Sequence, residues 1–179
     1  MQNKICCFIG HRKLVVSSEL CEKLKKTIVW LIEKKGVNWF LFGSASKFDE
    51  LCLKTVTELQ KSYPEIKRTY VRSNCPYIRN SHRKQLLKSY DDTLIPSKVK
   101  NAGRAAYVER NQEMIDASDF CVFYYNPEYK PPIRKPSKGA LTSERPNSGT
   151  KLAYEYAVRK SKDGSKTVIN IREDDFLII

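Results

Sequence analysis

The chain has 179 residues, 41% of them hydrophobic, which suits one folded domain over residues 1–179 and excludes a disordered chain. Its 33 Lys and Arg against 20 Asp and Glu leave a formal charge of +13, a field that attracts nucleic acid, anionic lipid or a phosphorylated small molecule. No stretch reaches the roughly 18 consecutive apolar residues of a membrane span, so no membrane partner is expected.

At the N-terminus, Met1-Gln2-Asn3-Lys4 runs into a short apolar segment, Ile5 to Ile9, and charge returns at His11-Arg12-Lys13. That segment is too short for a secretory signal and points to a cytoplasmic protein. The same run reads as a buried strand, Lys4 to Ile9, closed by Gly10. Ser17 or Ser18 caps a helix that presents Cys21, Leu24, Ile28, Leu31 and Ile32 on one face, and Gly36 stops it. Trp39 to Phe42 is a second strand, followed by Gly43-Ser44-Ala45-Ser46. A helix from about Phe48 to Ser62 turns Leu51, Val56 and Leu59 inward, and Ile66 to Arg72 forms a third strand.

From 73 to 103 the sequence is polar, basic and irregular, with one short helix expected around Ser81 to Ser89. A helix from Ala105 to Ala117 and a strand from Phe120 to Tyr125 follow. A proline-rich loop occupies about 127–148. The helix from Gly149 to Ser161 carries apolar Leu152, Tyr156 and Val158, and Lys166 to Ile171 is the last strand. The six cysteines fall mostly in apolar runs, where a reduced Cys acts as a small hydrophobe. Their spacing, with two histidines, does not build a metal site, and no cofactor is expected. Strands that alternate with helices and are nearly continuously apolar give an α/β, Rossmann-like three-layer fold, with a mostly parallel central sheet and helices on both faces.

In such a fold the ligand lies beyond the carboxyl ends of the strands. Three segments fall there: Gly10-His11-Arg12, Gly43-Ser44-Ala45-Ser46 with Asp49, and Asn147-Ser148-Gly149-Thr150. Glycine lets a backbone approach a phosphate, and a helix N-terminus offers unpaired N–H groups. Each glycine alone is more simply a turn; three at strand ends point to an anion-binding crevice. Arg110, beside Asn111, is either a solvated charge or a planar fork for phosphate or carboxylate. His11 is either a proton carrier or a hydrogen-bonding group, and Asp49 and Asn126 are placed to read ribose or base.

The order of Phe8-Ile9-Gly10-His11-Arg12, Gly43-Ser44-Ala45-Ser46-Lys47-Phe48-Asp49, Glu109-Arg110-Asn111, Ser118-Asp119 and Ser148-Gly149-Thr150 resembles the SLOG superfamily. That superfamily joins Smf/DprA DNA-processing proteins with LOG-type nucleotide phosphoribohydrolases, and the likeness is to its YpsA-like branch. The resemblance implies a Rossmann-like domain that binds a nucleotide or nucleotide derivative. LOG-type enzymes cleave the N-glycosidic bond of a nucleoside 5′-monophosphate with a helical Arg and a Glu shortly after a glycine loop. Arg110 matches the Arg. The positions expected to hold the Glu are Leu152 or Ala153, and the nearest carboxylate, Glu155, lies about one helical turn further on.

Three readings follow. The first is a sensor-like nucleotide-binding protein, with Gly149-Thr150, Arg12 and Arg110 holding a phosphate. The second is a phosphoribohydrolase using Arg110 and Glu155. The third is a DprA-like binder of single-stranded nucleic acid, through twelve Lys and Arg between Lys54 and Arg104, with Tyr63, Tyr70, Tyr77 and Tyr90 interleaved. Because Arg12, Arg110 and Arg72 fall near strand ends, a small phosphorylated ligand is favoured over a polynucleotide. A homo-oligomer through a sheet edge or helix face stays open.

Overall fold

A computed structural model describes residues 3–73, 80–132 and 148–172. Six strands form one all-parallel sheet: β1 (Lys4–Gly10), β2 (Val37–Phe42), β3 (Lys67–Val71), β4 (Asp92–Leu94), β5 (Phe120–Tyr124) and β6 (Thr167–Asn170). The helices are α1 (Ser18–Lys35), α2 (Lys47–Leu59), α3 (Asn80–Leu86), α4 (Ala106–Asp116) and α5 (Gly149–Lys160), with short 3₁₀ turns between them. The boundaries have local causes. Ser17 caps α1 through its side chain, and Gly36 ends it with φ 72, where an L side chain would be strained.

Alternation along the central strands feeds two cores. Cys6 and Phe8, Phe40 and Phe42, and Phe120 and Val122 face α1 and α2, meeting Leu24, Ile28, Leu31, Phe48, Cys52 and Val56. Cys7 and Ile9, Leu41, and Cys121 and Phe123 face the other way, toward Met114 and Ile115 of α4 and Ala153 and Ala157 of α5. Helices therefore cover both faces of the sheet, in three layers. The five described cysteines are free thiols, and all but Cys21 are buried.

Two sequence expectations are corrected. The 73–103 segment contains a strand, β4, which pairs with β3 at the sheet edge. It spans three residues with only Thr93 buried, so no apolar run announces it. On α5 the inward positions are Thr150, Ala153 and Ala157, while Leu152 and Val158 are exposed. Small side chains let this helix lie close to the sheet. Within the proline-rich loop, residues 133–147 lie outside the described residues, as do Cys75 and Tyr77. No helix among the described residues is long and apolar enough to cross a membrane.

The strand order is β4-β3-β2-β1-β5-β6. The chain steps outward from β1 to β4, then returns to lay β5 on the other side of β1. The order reverses between β1 and β5, the switch point outside whose carboxyl edge a sheet of this kind places its ligand crevice. In a parallel sheet the connecting helices also start at that edge, so α2, α4 and α5 all present their N-termini to it.

Candidate functional site

At the end of β1, Gly10 serves packing. A methyl group there would lie 2.6 Å from the Cβ of Phe48, so the missing side chain is the space that Phe48 fills. His11, next in the chain, is 2% exposed. The Asn126 N–H, just past β5, donates to its Nε2 at 3.0 Å. The same Nε2 lies 3.3 Å from the Asn126 carbonyl, so this nitrogen meets both backbone groups of Asn126, and burial keeps the His11 pKa below the usual 6.5. Nδ1 has no hydrogen-bond partner among the described residues. Tyr129 stacks on the ring at 4.1 Å, and Tyr125, itself stacked on Tyr154 of α5, lies 6.0 Å away. His11 and Asn126 thus tie the ends of β1 and β5 together across the crevice. The Asn126 side chain is engaged in its own turn, accepting from the Glu128 N–H. Arg12 is exposed, and its carbonyl accepts from the Lys47 N–H.

Beyond β2, Ser46 caps α2 by accepting the Asp49 N–H. Asp49 is 2% exposed and reaches back: its Oδ2 accepts the N–H groups of Gly43 (3.3 Å) and Ser44 (2.5 Å). This is a capping box displaced toward the incoming loop. It occupies the two amides in which the sequence placed an anion. The other carboxylate oxygen, Oδ1, is buried with no hydrogen-bond partner among the described residues. Burial raises the Asp49 pKa to about 6, against the opposing pull of the Ser44 and Gly43 hydrogen bonds and the Arg110 charge.

Arg110, one turn into α4, is 3% exposed and lies against Gly43, where a methyl group would sit 2.8 Å from its Nε. Its Nε and Nη2 donate to the neighbouring Asn111 Oδ1, at 3.2 and 2.9 Å, and its guanidinium lies 5.6 Å from the ring of Tyr107. Burial pulls its pKa down while Asp49 pulls it up, yet no ion pair within 4.0 Å joins them. A guanidinium carries five donors. Those beyond the two on Asn111 have no acceptor among the described residues.

The third segment is the open one. Ser148 caps α5 by accepting the Lys151 N–H at 3.3 Å, and its carbonyl accepts from Leu152. No described residue accepts the N–H of Gly149 or Thr150, and a side chain at Gly149 would meet nothing within 4 Å. Arg110 and Gly149 lie on the same face of the sheet and at the same edge. Glu155 is two residues on from Ala153, about 200° around the helix. It stands exposed, 3.8 Å from Lys151.

The structure thus brings His11 and Asn126 together at the switch point, and Gly43, Ser44, Asp49 and Arg110 together at the end of β2. It leaves Arg12 and Glu155 at the surface. Arg72, at the end of β3, is partly buried with its Nε unpartnered among the described residues. The interleaved aromatics of the basic segment are engaged: Tyr63 donates to Glu33, and Tyr70 and Tyr90 pack on each other. Sequence reasoning missed Tyr107, Tyr125, Tyr129 and Tyr154; for Tyr125 and Tyr129 the signal was the tyrosines clustered just after β5, and Tyr107 on α4 and Tyr154 on α5 had none. A hollow of about 380 Å³ on the outer face of α1, beside Trp30, contains none of these residues.

Compared with known proteins, the chain matches the model of the YspA SLOG family over residues 11–144, most of its length. The matched span includes His11, Gly43, Asp49, Arg110 and Asn126 and stops just short of α5. No curated protein matches the chain significantly.

Proposed function

From the premise that this chain belongs to the YspA SLOG family, we propose that it binds a nucleotide or nucleotide derivative in the crevice between β1 and β5. Membership itself supports a nucleotide-related binding or processing role. The observation that carries the finer reading is the start of α5, where two unpaired amides and an open Gly149 share the sheet edge with a buried, part-free Arg110. Helix amides and a dipole end suit a phosphate, and the guanidinium adds charge-assisted hydrogen bonds. Tyr129 and Tyr125 offer rings near the switch point for a base. Hydrolysis of the N-glycosidic bond has less support, since it needs a carboxylate close to the ribose and Glu155 stands on the outer side of α5.

Screening AMP, cyclic AMP and ADP-ribose by thermal shift tests this. A ligand at 100 times its Kd adds about 2.7 kcal/mol of stability, a shift of several degrees in a domain of this size. At least one nucleotide is expected to raise Tm, and to copurify in traces visible by mass spectrometry. If none shifts Tm and none copurifies, the reading fails. Glu155→Gln is expected to leave binding unchanged; release of base from AMP that this substitution abolishes would reinstate the hydrolase.

A further inference from the structure

We propose that the charge of Asp49 opposes an incoming anion at Arg110, so that filling the crevice is coupled to uptake of a proton by Asp49. The inference deepens the nucleotide reading, and it rests on Arg110 being the group that holds the anion.

Three features carry it. Asp49 and Arg110 are both buried, and both touch Gly43, one through the Gly43 amide and the other against its α-carbon. Neither is satisfied: Asp49 Oδ1 has no partner among the described residues, and Arg110 spends two donors on an amide oxygen. They feel each other's charge without forming an ion pair. A second anion at a buried cation with free donors is repelled by the first, and it binds more tightly when that repulsion is relieved. Protonation of Asp49 relieves it, and burial has already brought that carboxyl within reach of neutral pH. The other titratable groups around Asp49 are Cys52 on α2, Tyr70 on β3 and Tyr90 before β4, while Tyr107 on α4 lies beside Arg110. Burial or like charge raises Cys52, Tyr70 and Tyr90, so those three stay neutral across the range and do not supply the proton change. The exposed Tyr107 ring lies 5.6 Å from the guanidinium.

The sign follows from linkage. An anion on Arg110 raises the Asp49 pKa, so its affinity increases as pH falls toward that pKa, by up to tenfold for each pH unit of the rise. Sulfate and cyclic AMP are suitable probes because neither titrates between pH 5.5 and 7.5. Calorimetry on the full chain is expected to find sulfate binding that tightens as pH falls, with proton uptake read from buffers of different ionisation enthalpy. In Asp49→Asn the affinity at pH 7.5 is expected to rise to the wild-type value at pH 5.5, and the pH dependence to flatten. Arg110→Lys is expected to weaken binding. Affinity that does not change with pH, or a slope and proton uptake that survive Asp49→Asn, overturns the coupling. If Asp49→Asn does not fold, proton uptake by the wild-type chain decides alone. Coupled sulfate binding when AMP, cyclic AMP and ADP-ribose all fail to bind keeps the inference and removes the nucleotide; absence of binding by sulfate and by all three nucleotides removes the two together.

Discussion

Phe48→Ala is expected to lower the unfolding free energy by about 3–5 kcal/mol, read as a shift of the urea midpoint with the slope unchanged. The ring, in the first turn of α2, is fully buried against β1, 5.8 Å from Tyr124, and it fills the place of a side chain at Gly10. The pairing makes a sharper expectation. Gly10→Ala in the wild-type background forces a methyl group against the Phe48 Cβ and costs about 1–3 kcal/mol. Built on Phe48→Gly, which removes that Cβ and the ring, the same change should cost far less, a coupling that a double-mutant cycle measures. Equal costs in both backgrounds would show that Gly10 is kept for another reason, such as close approach of a ligand.

Gly43→Ala should have the second large effect, and mostly on binding. The backbone at Gly43 does not have positive φ, so alanine is unstrained there. Its methyl group would lie 2.6 Å from Met114 Sδ and 2.8 Å from Arg110 Nε. Met114 can bend away at the tip of a flexible chain; Arg110 must shift, and its two bonds to Asn111 break. Charge-assisted hydrogen bonds are worth about 1.5–3 kcal/mol each, so a misplaced guanidinium is expected to weaken anion affinity by ten- to a hundredfold. Stability should fall by only about 1–3 kcal/mol. Titration of sulfate or AMP into Gly43→Ala decides it: wild-type affinity would mean that Arg110 is not the group holding the anion.

The fold was legible because the central strands are short apolar runs and the helices are capped by Ser17, Ser46 and Ser148, all local signals. β4 was not legible, since an edge strand of three residues needs one buried side chain and its partner strand supplies the rest. The site was half legible. Position at strand ends marked Gly10, Gly43 and Asp49, yet their uses are decided by what arrives from elsewhere: Phe48 into the space at Gly10, and Arg110 from α4 against Gly43. A strand-end glycine reads the same whether it faces a phosphate or a phenyl ring. The link from His11 to Asn126 spans 115 residues and depends on a strand pairing that no local pattern encodes.

That same pairing bears on how the domain is born. β1 is hydrogen-bonded on one side to β2 and on the other to β5. During synthesis β2 follows within a few dozen residues, while β5 emerges only after α4, near residue 120. At about 5–20 residues per second, β1 spends several seconds with one edge bare, its Cys7 and Ile9 side chains uncovered until α4 and α5 arrive. An open, apolar strand edge is a template for pairing with another nascent chain. Nascent chains paused before residue 120 are therefore the ones that should recruit holdase chaperones, and slowing translation there should lower the soluble yield more than slowing it after β5.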